Sequence, residues 1–205
     1  MKKTNHIAFV IDKSGSMNKI REQTINNINE QLDTLEDAAT ADQEDKIHMV
    51  TFNGKVSEPV RWLVAERFTE EDYEPRGNTA LLDAVGKTIT TLQDIEVADD
   101  EDVSYLLVIL SDGQENTSKE YNRTQVSSMI KELEEQGNWT FTFVGADRSC
   151  IDYMIDLGIQ VGNTQYFPAS AEGMQMTTNS ISRGLRSFKT ARGAGGQMMS
   201  SFYGG

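Results

Sequence analysis

The chain of 205 residues has one cysteine, Cys150, so no disulfide can close within it. It has two histidines, His6 and His48, each inside an apolar stretch and at no spacing that suits metal ligation. No apolar run approaches the roughly 18 residues of a membrane-spanning helix. The start, MKKTNHIAFVID, carries two lysines, but its apolar run is too short for a signal-peptide core and ends in an acid. These absences predict a reduced, cytoplasmic protein with no membrane part. Positive charge is scarce as well: 19 Lys and Arg stand against 32 Asp and Glu, a net charge of −13. Neutralising phosphates needs clustered Lys and Arg, so broad nucleic-acid binding is disfavoured. An acidic balance favours solubility and, locally, the capture of cations.

What the chain does contain is ordinary for a globular protein, with 38% hydrophobic and 25% charged residues. Its length suits one α/β domain. Read in order, apolar runs of strand length alternate with helical periodicity. Ile7 to Ile11 is a continuous apolar run that stops at Asp12, the pattern of a strand buried on both faces. Ile20, Ile25, Ile28, Leu32 and Leu35 mark an amphipathic helix over about 17–38. Asp37 to Asp45 reads as a solvated acidic linker. Lys46 to Phe52 is a second strand, and Asn53-Gly54 predicts a hairpin into a third, Lys55 to Leu63. Pro59 makes that third strand an antiparallel edge. Asn78 or Thr79 is placed to cap a helix whose apolar face is Leu82, Val85, Ile89 and Leu92.

Asp94 to Asp102 reads as another acidic connection. Val103 to Leu110, the most apolar strand, ends in Ser111-Asp112-Gly113. A helix over about 119–136, a strand from Trp139 to Val144, a short helix from Ser149 to Leu157 and a short strand near Gln165 to Phe167 follow. The last helix spans about 170–190. The alternation predicts a doubly wound, mostly parallel sheet with one antiparallel edge strand and helices on both faces. The domain is set at 1–189. Residues 190–205 form a Gly- and Ser-rich tail whose composition resists packing, and whose Met and aromatic residues offer a means of self-association. Arg183, Arg186, Lys189 and Arg192 form a basic stripe that could meet an acidic partner or nucleic acid but reads better as a solvated face with favourable charges near a helix C-terminus.

The chemistry gathers at strand ends. Asp12, Ser14 and Ser16 put one carboxylate and two hydroxyls on a tight loop, where Gly15 relieves the turn. These donors are oxygens only, which suits a hard dication such as Mg2+, held at about 2.1 Å in near-octahedral geometry. Asp112 ends a second strand in the same way, and Thr79 stands at a helix start. In open α/β sheets, sites lie at the carboxyl ends of strands where the winding reverses. Two carboxylates meeting there repel unless a cation lies between them.

DKSGSM, RGNTALLDAVG and LSDGQENTS together resemble the von Willebrand factor type A domain, over about residues 5–188. The pattern of its metal-ion-dependent adhesion site is Asp-x-Ser-x-Ser, a distant Thr and a distant Asp. It falls here on Asp12, Ser14, Ser16, Thr79 and Asp112. FVGAD at 143–147 and the helix near 172–188 look most like bacterial and phage members. The resemblance implies that Ser14 and Ser16 bind Mg2+ or Mn2+ directly. Thr79 joins them when an outside ligand is present, while Asp12 and Asp112 act mainly through water. It also implies a non-enzymatic module that binds a protein partner through the partner's Asp or Glu.

Two other readings stand beside this one. A structural or assembly protein would use the same ion only for stability. A metal-dependent phosphohydrolase would use Asp12 as nucleophile, but Ser14 stands where a second acid is wanted, and no general acid or lysine accompanies it. Cys150 has no catalytic partner in view and reads as an inert thiol. Glu115 and Asp147 read as loop acids that could reach the rim of the site.

Overall fold

The computed structural model describes residues 2–96, 102–113 and 115–204. Six strands form one sheet in the order β3-β2-β1-β4-β5-β6. They are β1 (Lys3–Asp12), β2 (Gln43–Phe52), β3 (Val60–Trp62), β4 (Asp102–Ser111), β5 (Trp139–Gly145) and β6 (Thr164–Tyr166). All pairings are parallel except β2 with β3. The winding reverses between β1 and β4, which lie side by side with Ile11 opposite Leu110. Asp12 and Asp112 therefore leave neighbouring strands at the point where such sheets open a crevice.

Helices cover both faces, which explains the unbroken apolar runs of β1 and β4. Ile7, Phe9 and Ile11 pack under α1 (Arg21–Asp37) and α5 (Ala171–Gly193). Ala8 and Val10 point the other way, toward α2 (Leu81–Gln93), α3 (Arg123–Glu135) and α4 (Arg148–Leu157). Among the described residues, no helix is long and apolar enough to cross a membrane.

The structure corrects the sequence reading in several places. The expected strand from Lys55 to Leu63 shrinks to Val60–Trp62; ahead of it only a single bridge, Phe52 to Val56, closes the Asn53-Gly54 turn. Pro59 and the exposed edge leave little pairing to hold the rest. Neither Asn78 nor Thr79 caps α2, since its N-cap is Ala80 and carries no side-chain bond. The acidic linker ends early, because Gln43 to Asp45 belong to β2. The second acidic connection lies largely outside the described residues.

The basic stripe divides in two. Arg186 is half exposed, whereas Lys189 and Arg192 are buried against Asp45 and Asp102 at the opposite end of the sheet from Asp12. The tail also packs. The last helix runs on to Gly193, and beyond it Phe202 is buried over Gly184, where a Cβ would stand 2.2 Å from its ring. Asn163 holds this strap by donating to the Met199 carbonyl (2.8 Å) and accepting from Phe202 N–H (2.7 Å). Of the residues that offered self-association, Met199, Phe202 and Tyr203 pack within the chain.

Candidate metal centre

Asp12 closes β1 fully buried. One of its oxygens, Oδ1, accepts from the Ser14 N–H at 2.6 Å, which sets the turn that follows. The other, Oδ2, accepts from the Ser111 hydroxyl at 2.5 Å. The Asp12 carbonyl accepts from the buried Tyr73 hydroxyl at 2.6 Å. Both carboxylate oxygens are therefore held, and Tyr73 fixes the backbone beside them. Burial pushes its pKa up to about 6 against the opposing Ser111 and Ser14 hydrogen bonds, and the nearby Asp112 raises it further. Burial also raises Asp112, while the Ser16 hydroxyl and the charge of Lys19 work in the other direction.

The hydroxyls link the two acids. Ser14 Oγ and Ser16 Oγ lie 3.1 Å apart, and Ser16 Oγ donates to Asp112 Oδ1 at 2.6 Å. Gly15 N–H donates to the Gly77 carbonyl at 3.0 Å, but a Cβ there would meet only ordinary contacts at 3.6 and 3.7 Å, so the turn does not need the glycine that the sequence reading gave that part. The fifth residue, Thr79, is also buried. A Cβ built on Gly113 would stand 3.2 Å from Thr79 Oγ1, and 3.9 Å from both Asp12 Oδ2 and Ser16 Oγ. Oxygens of the Asp12–Ser16 loop and of Thr79 thus face one point above Gly113, which has no side chain to occupy it, and Asp112 on the same loop as Gly113 is joined to them through Ser16. All five sequence-predicted site residues come together.

The set fits a hard dication. Among the described residues, no three His, Cys, Asp or Glu gather as a metal cluster. The donors here are two carboxylates and three hydroxyls, which is oxygen chemistry suited to Mg2+ or Mn2+.

Thr79 can serve the site because other residues do the work of capping α2. Leu82 N–H donates to Glu115 Oε2 (2.9 Å) and Asp83 N–H to Ser118 Oγ (3.0 Å). In return the buried Asp83 accepts from the N–H groups of Lys119, Glu120 and Tyr121. Thr79 itself is clasped by Asn116, whose Oδ1 accepts from Thr79 N–H (3.1 Å) and whose N–H donates to the Thr79 carbonyl (3.1 Å). This zipper joins the Asp112 loop to the Thr79 segment. Tyr73, Asp83 and Asn116 were not singled out from the sequence, and Glu115 was read only as a loop acid. Their roles need the fold, since a carboxylate that caps another segment's helix looks like any surface acid. Asn116→Ala is expected to weaken divalent-cation binding about three- to tenfold while the fold survives, because the side-chain half of the clasp, worth roughly 1 kcal/mol, is lost and the backbone half remains; titration calorimetry with Mg2+ checks it.

The remaining candidates are structural. Cys150 donates to the Gly113 carbonyl at 2.9 Å, and burial, with the charges of Asp147, Asp112 and Asp12, pushes its thiol up to about 12. His6 Nδ1 and His48 Nε2 are hydrogen-bonded at 3.0 Å inside the sheet, and burial holds His48 down near 4. Asp147 caps α4 through the Ser149 N–H.

The model of the von Willebrand factor type A domain matches residues 6–153, more than half of the chain. The chain belongs to this family. Its domains are typically modules of adhesion and protein interaction rather than enzymes. No curated protein matches by sequence. Among solved structures, the pilus adhesin SpaC from Lactobacillus rhamnosus GG superposes with a TM-score of 0.67 at 12% identity, covering 91% of this chain and 30% of that one. Proximal thread matrix protein 1 from the mussel byssus, in a structure with zinc in its metal-ion-dependent adhesion site, gives 0.60 at 18% identity, covering 88% and 45%. The ArnB paralog VWA2 from Sulfolobus acidocaldarius gives 0.60 at 13% identity, covering 89% and 45%. At these identities the likeness is one of fold. The chain spans less than half the length of each of the three.

Proposed function

We propose that this type A domain is a metal-dependent protein-interaction module whose ion is held by Asp12, Ser14, Ser16, Thr79 and Asp112. The observation that carries the reading is the convergence of Asp12, Ser16 and Thr79 oxygens over Gly113, with Asp112 hydrogen-bonded to Ser16 beside them. A bound Mg2+ or Mn2+ would supply a hard positive centre able to accept a partner's carboxylate. Ser14, Ser16 and Thr79 offer neutral oxygens, so they position the ion without cancelling its charge. Asp12 and Asp112 offset the two charges, and the hydrogen bonds to Asp12 hold its carboxylate still. A partner offering Asp or Glu is the complement.

A phosphohydrolase fits poorly, because Ser14 stands where a second acid is wanted and no general acid or lysine accompanies Asp12 in the sequence. The tail's internal packing takes away the feature that favoured an assembly protein. The test is calorimetry with Mg2+, Mn2+ and Zn2+, followed by titration of an Asp-containing peptide in the presence of each ion or of EDTA. Asp12→Ala and EDTA should both remove peptide binding, and equal binding with and without the ion would refute the reading.

Protons compete with the ion. In the ion-free protein Asp12 titrates at about 6, so the apparent Mg2+ affinity should be about tenfold weaker at pH 5 than at pH 7.5. Stability follows the same group. The unfolded carboxyl titrates at its ordinary value of 3.8 and the native one at about 6, so the native state binds more protons between those values. The contribution of Asp12 to ion-free stability therefore falls as pH rises through that window. Mg2+ should then raise the melting temperature more at pH 7.5 than at pH 5.

A further inference from the structure

Residues 115–122, between Asp112 and α3, form neither helix nor strand. Even so, every backbone N–H from Asn116 to Tyr121 has an acceptor. Asn116 N–H goes to the Thr79 carbonyl (3.1 Å). Those of Thr117 and Ser118 go to Glu115 Oε1 (2.8 and 2.7 Å). Those of Lys119, Glu120 and Tyr121 go to the Asp83 carboxylate (2.8, 2.9 and 2.8 Å). Two carboxylates thus do what a neighbouring strand would do. An ionised acceptor makes stronger bonds than a neutral one, and a carboxylate can serve several donors at once.

The bonds also run from helix to loop. Glu115 Oε2 accepts from Leu82 N–H (2.9 Å), and Ser118 Oγ accepts from Asp83 N–H (3.0 Å). Both acids lie at the start of α2, where free N–H groups favour negative charge. Farther along, Gly86 leaves room for the Tyr121 ring, which any side chain there would strike, and Tyr121 Oη meets Thr90 Oγ1 at 3.0 Å. Loop and helix therefore lie side by side from Thr79 to Thr90.

The metal centre sits at one end of this pair. Asp112 and Gly113 lead into the loop, and Thr79 precedes α2. Glu115 follows Asp112 by three residues and bonds to the N–H three residues beyond Thr79. It bridges the two segments where they enter the site. Mg2+ accepts little departure from octahedral geometry, so the spacing of these segments bears on affinity.

We propose that Glu115, supported by Asp83, is a positioning residue of the metal centre: by tying the loop after Asp112 to the first turn of α2, it sets where the Thr79 hydroxyl stands relative to Asp112. This rests on the reading of the centre given above.

Glu115→Gln is the variant of choice. It keeps the size and leaves Oε1 to Thr117 and Ser118, but it sets an amide donor against Leu82 N–H. In the ion-free protein, amide exchange at Leu82 should quicken about three- to tenfold, while that at Leu107 in β4 should not change. Mg2+ titrations followed by amide chemical shifts should show affinity falling by about the same factor. The loss should persist in a Ser14→Ala background and shrink below about twofold in a Thr79→Ala background, because residues acting through one another are not additive. Equal losses in all backgrounds would make Glu115 a support of the fold only and overturn the proposal. So would quickened exchange with Mg2+ affinity unchanged. A parent chain that takes up no Mg2+, or a Thr79→Ala chain that binds it as the parent does, would instead refute the metal-centre reading itself.

Discussion

Gly113→Val is expected to abolish divalent-cation binding, a loss of about 100-fold or more (~2.7 kcal/mol), in a protein that still folds. The first atom of the new side chain would stand 3.2 Å from Thr79 Oγ1 and 3.9 Å from Asp12 Oδ2 and Ser16 Oγ. The two further carbons of valine then enter the space those oxygens face. Mg2+ tolerates little departure from octahedral geometry, so even a displacement of a few tenths of an ångström at Thr79 matters. Gly113 is not among the glycines with positive φ, so the backbone itself accepts a side chain. Gly113→Ala should therefore give an intermediate loss of about tenfold, its single carbon pressing on Thr79 alone. Calorimetric titration with Mg2+ measures both variants, and circular dichroism verifies the fold. Two variants that bind Mg2+ as the parent does would show that the oxygens do not converge above this glycine.

The centre was legible because its signals are local. An apolar run that ends abruptly in Asp marks a buried strand that delivers a carboxylate to its own end, and it occurs at Asp12 and again at Asp112. The doubly wound order then puts the two ends side by side, so strand order and site follow from the same pattern. Thr79 was found for the right place but with the wrong local duty. A hydroxyl at a helix start usually caps it, yet here Glu115 and Ser118 satisfy the first N–H groups of α2 from another loop. No local rule contains that information, because the donors and acceptors lie more than thirty positions apart in the chain.

Charge and composition misled where partners are distant. Polarity and spacing made Asp45 look like linker and Lys189 like a solvated face, but each is the other's partner across the fold. Glycine content made the tail look unstructured, whereas Gly184 in α5 leaves the recess that Phe202 fills. The edge strand fell short because Asn53-Gly54 fixes only the turn; nothing beyond it on the exposed side rewards longer pairing.

The buried basic residues lead to the largest expected effect on stability. Arg192 is fully buried: Nε donates to Asn5 Oδ1 (2.7 Å), Nη1 to Asp102 Oδ1 (3.0 Å) and Nη2 to the Asp102 carbonyl (2.9 Å). Asn5 also donates to Asp45 Oδ1 (2.7 Å), whose two oxygens take Lys189 Nζ at 2.7 and 2.6 Å. The network ties the end of α5 to the first residues of β1, β2 and β4. Arg192→Ala removes one charge and leaves Asn5 and Asp102 with unfilled acceptors, so it should destabilise the fold by about 3–5 kcal/mol, read by urea denaturation. Burial opposes the ionised form of Asp102, but its bonds to Gln197 and Arg192 outweigh that and hold its pKa below the ordinary value. The Asp102 contribution is therefore present above the unfolded pKa and is lost as pH falls through the folded one, and Arg192→Ala should flatten that acid limb. Asn5 stands seven strand positions from Asp12, about 23 Å away. At that distance Mg2+ affinity, measured where the variant remains folded, should be unchanged. A variant that kept its stability but lost the ion would mean that the network serves the metal centre instead of anchoring α5.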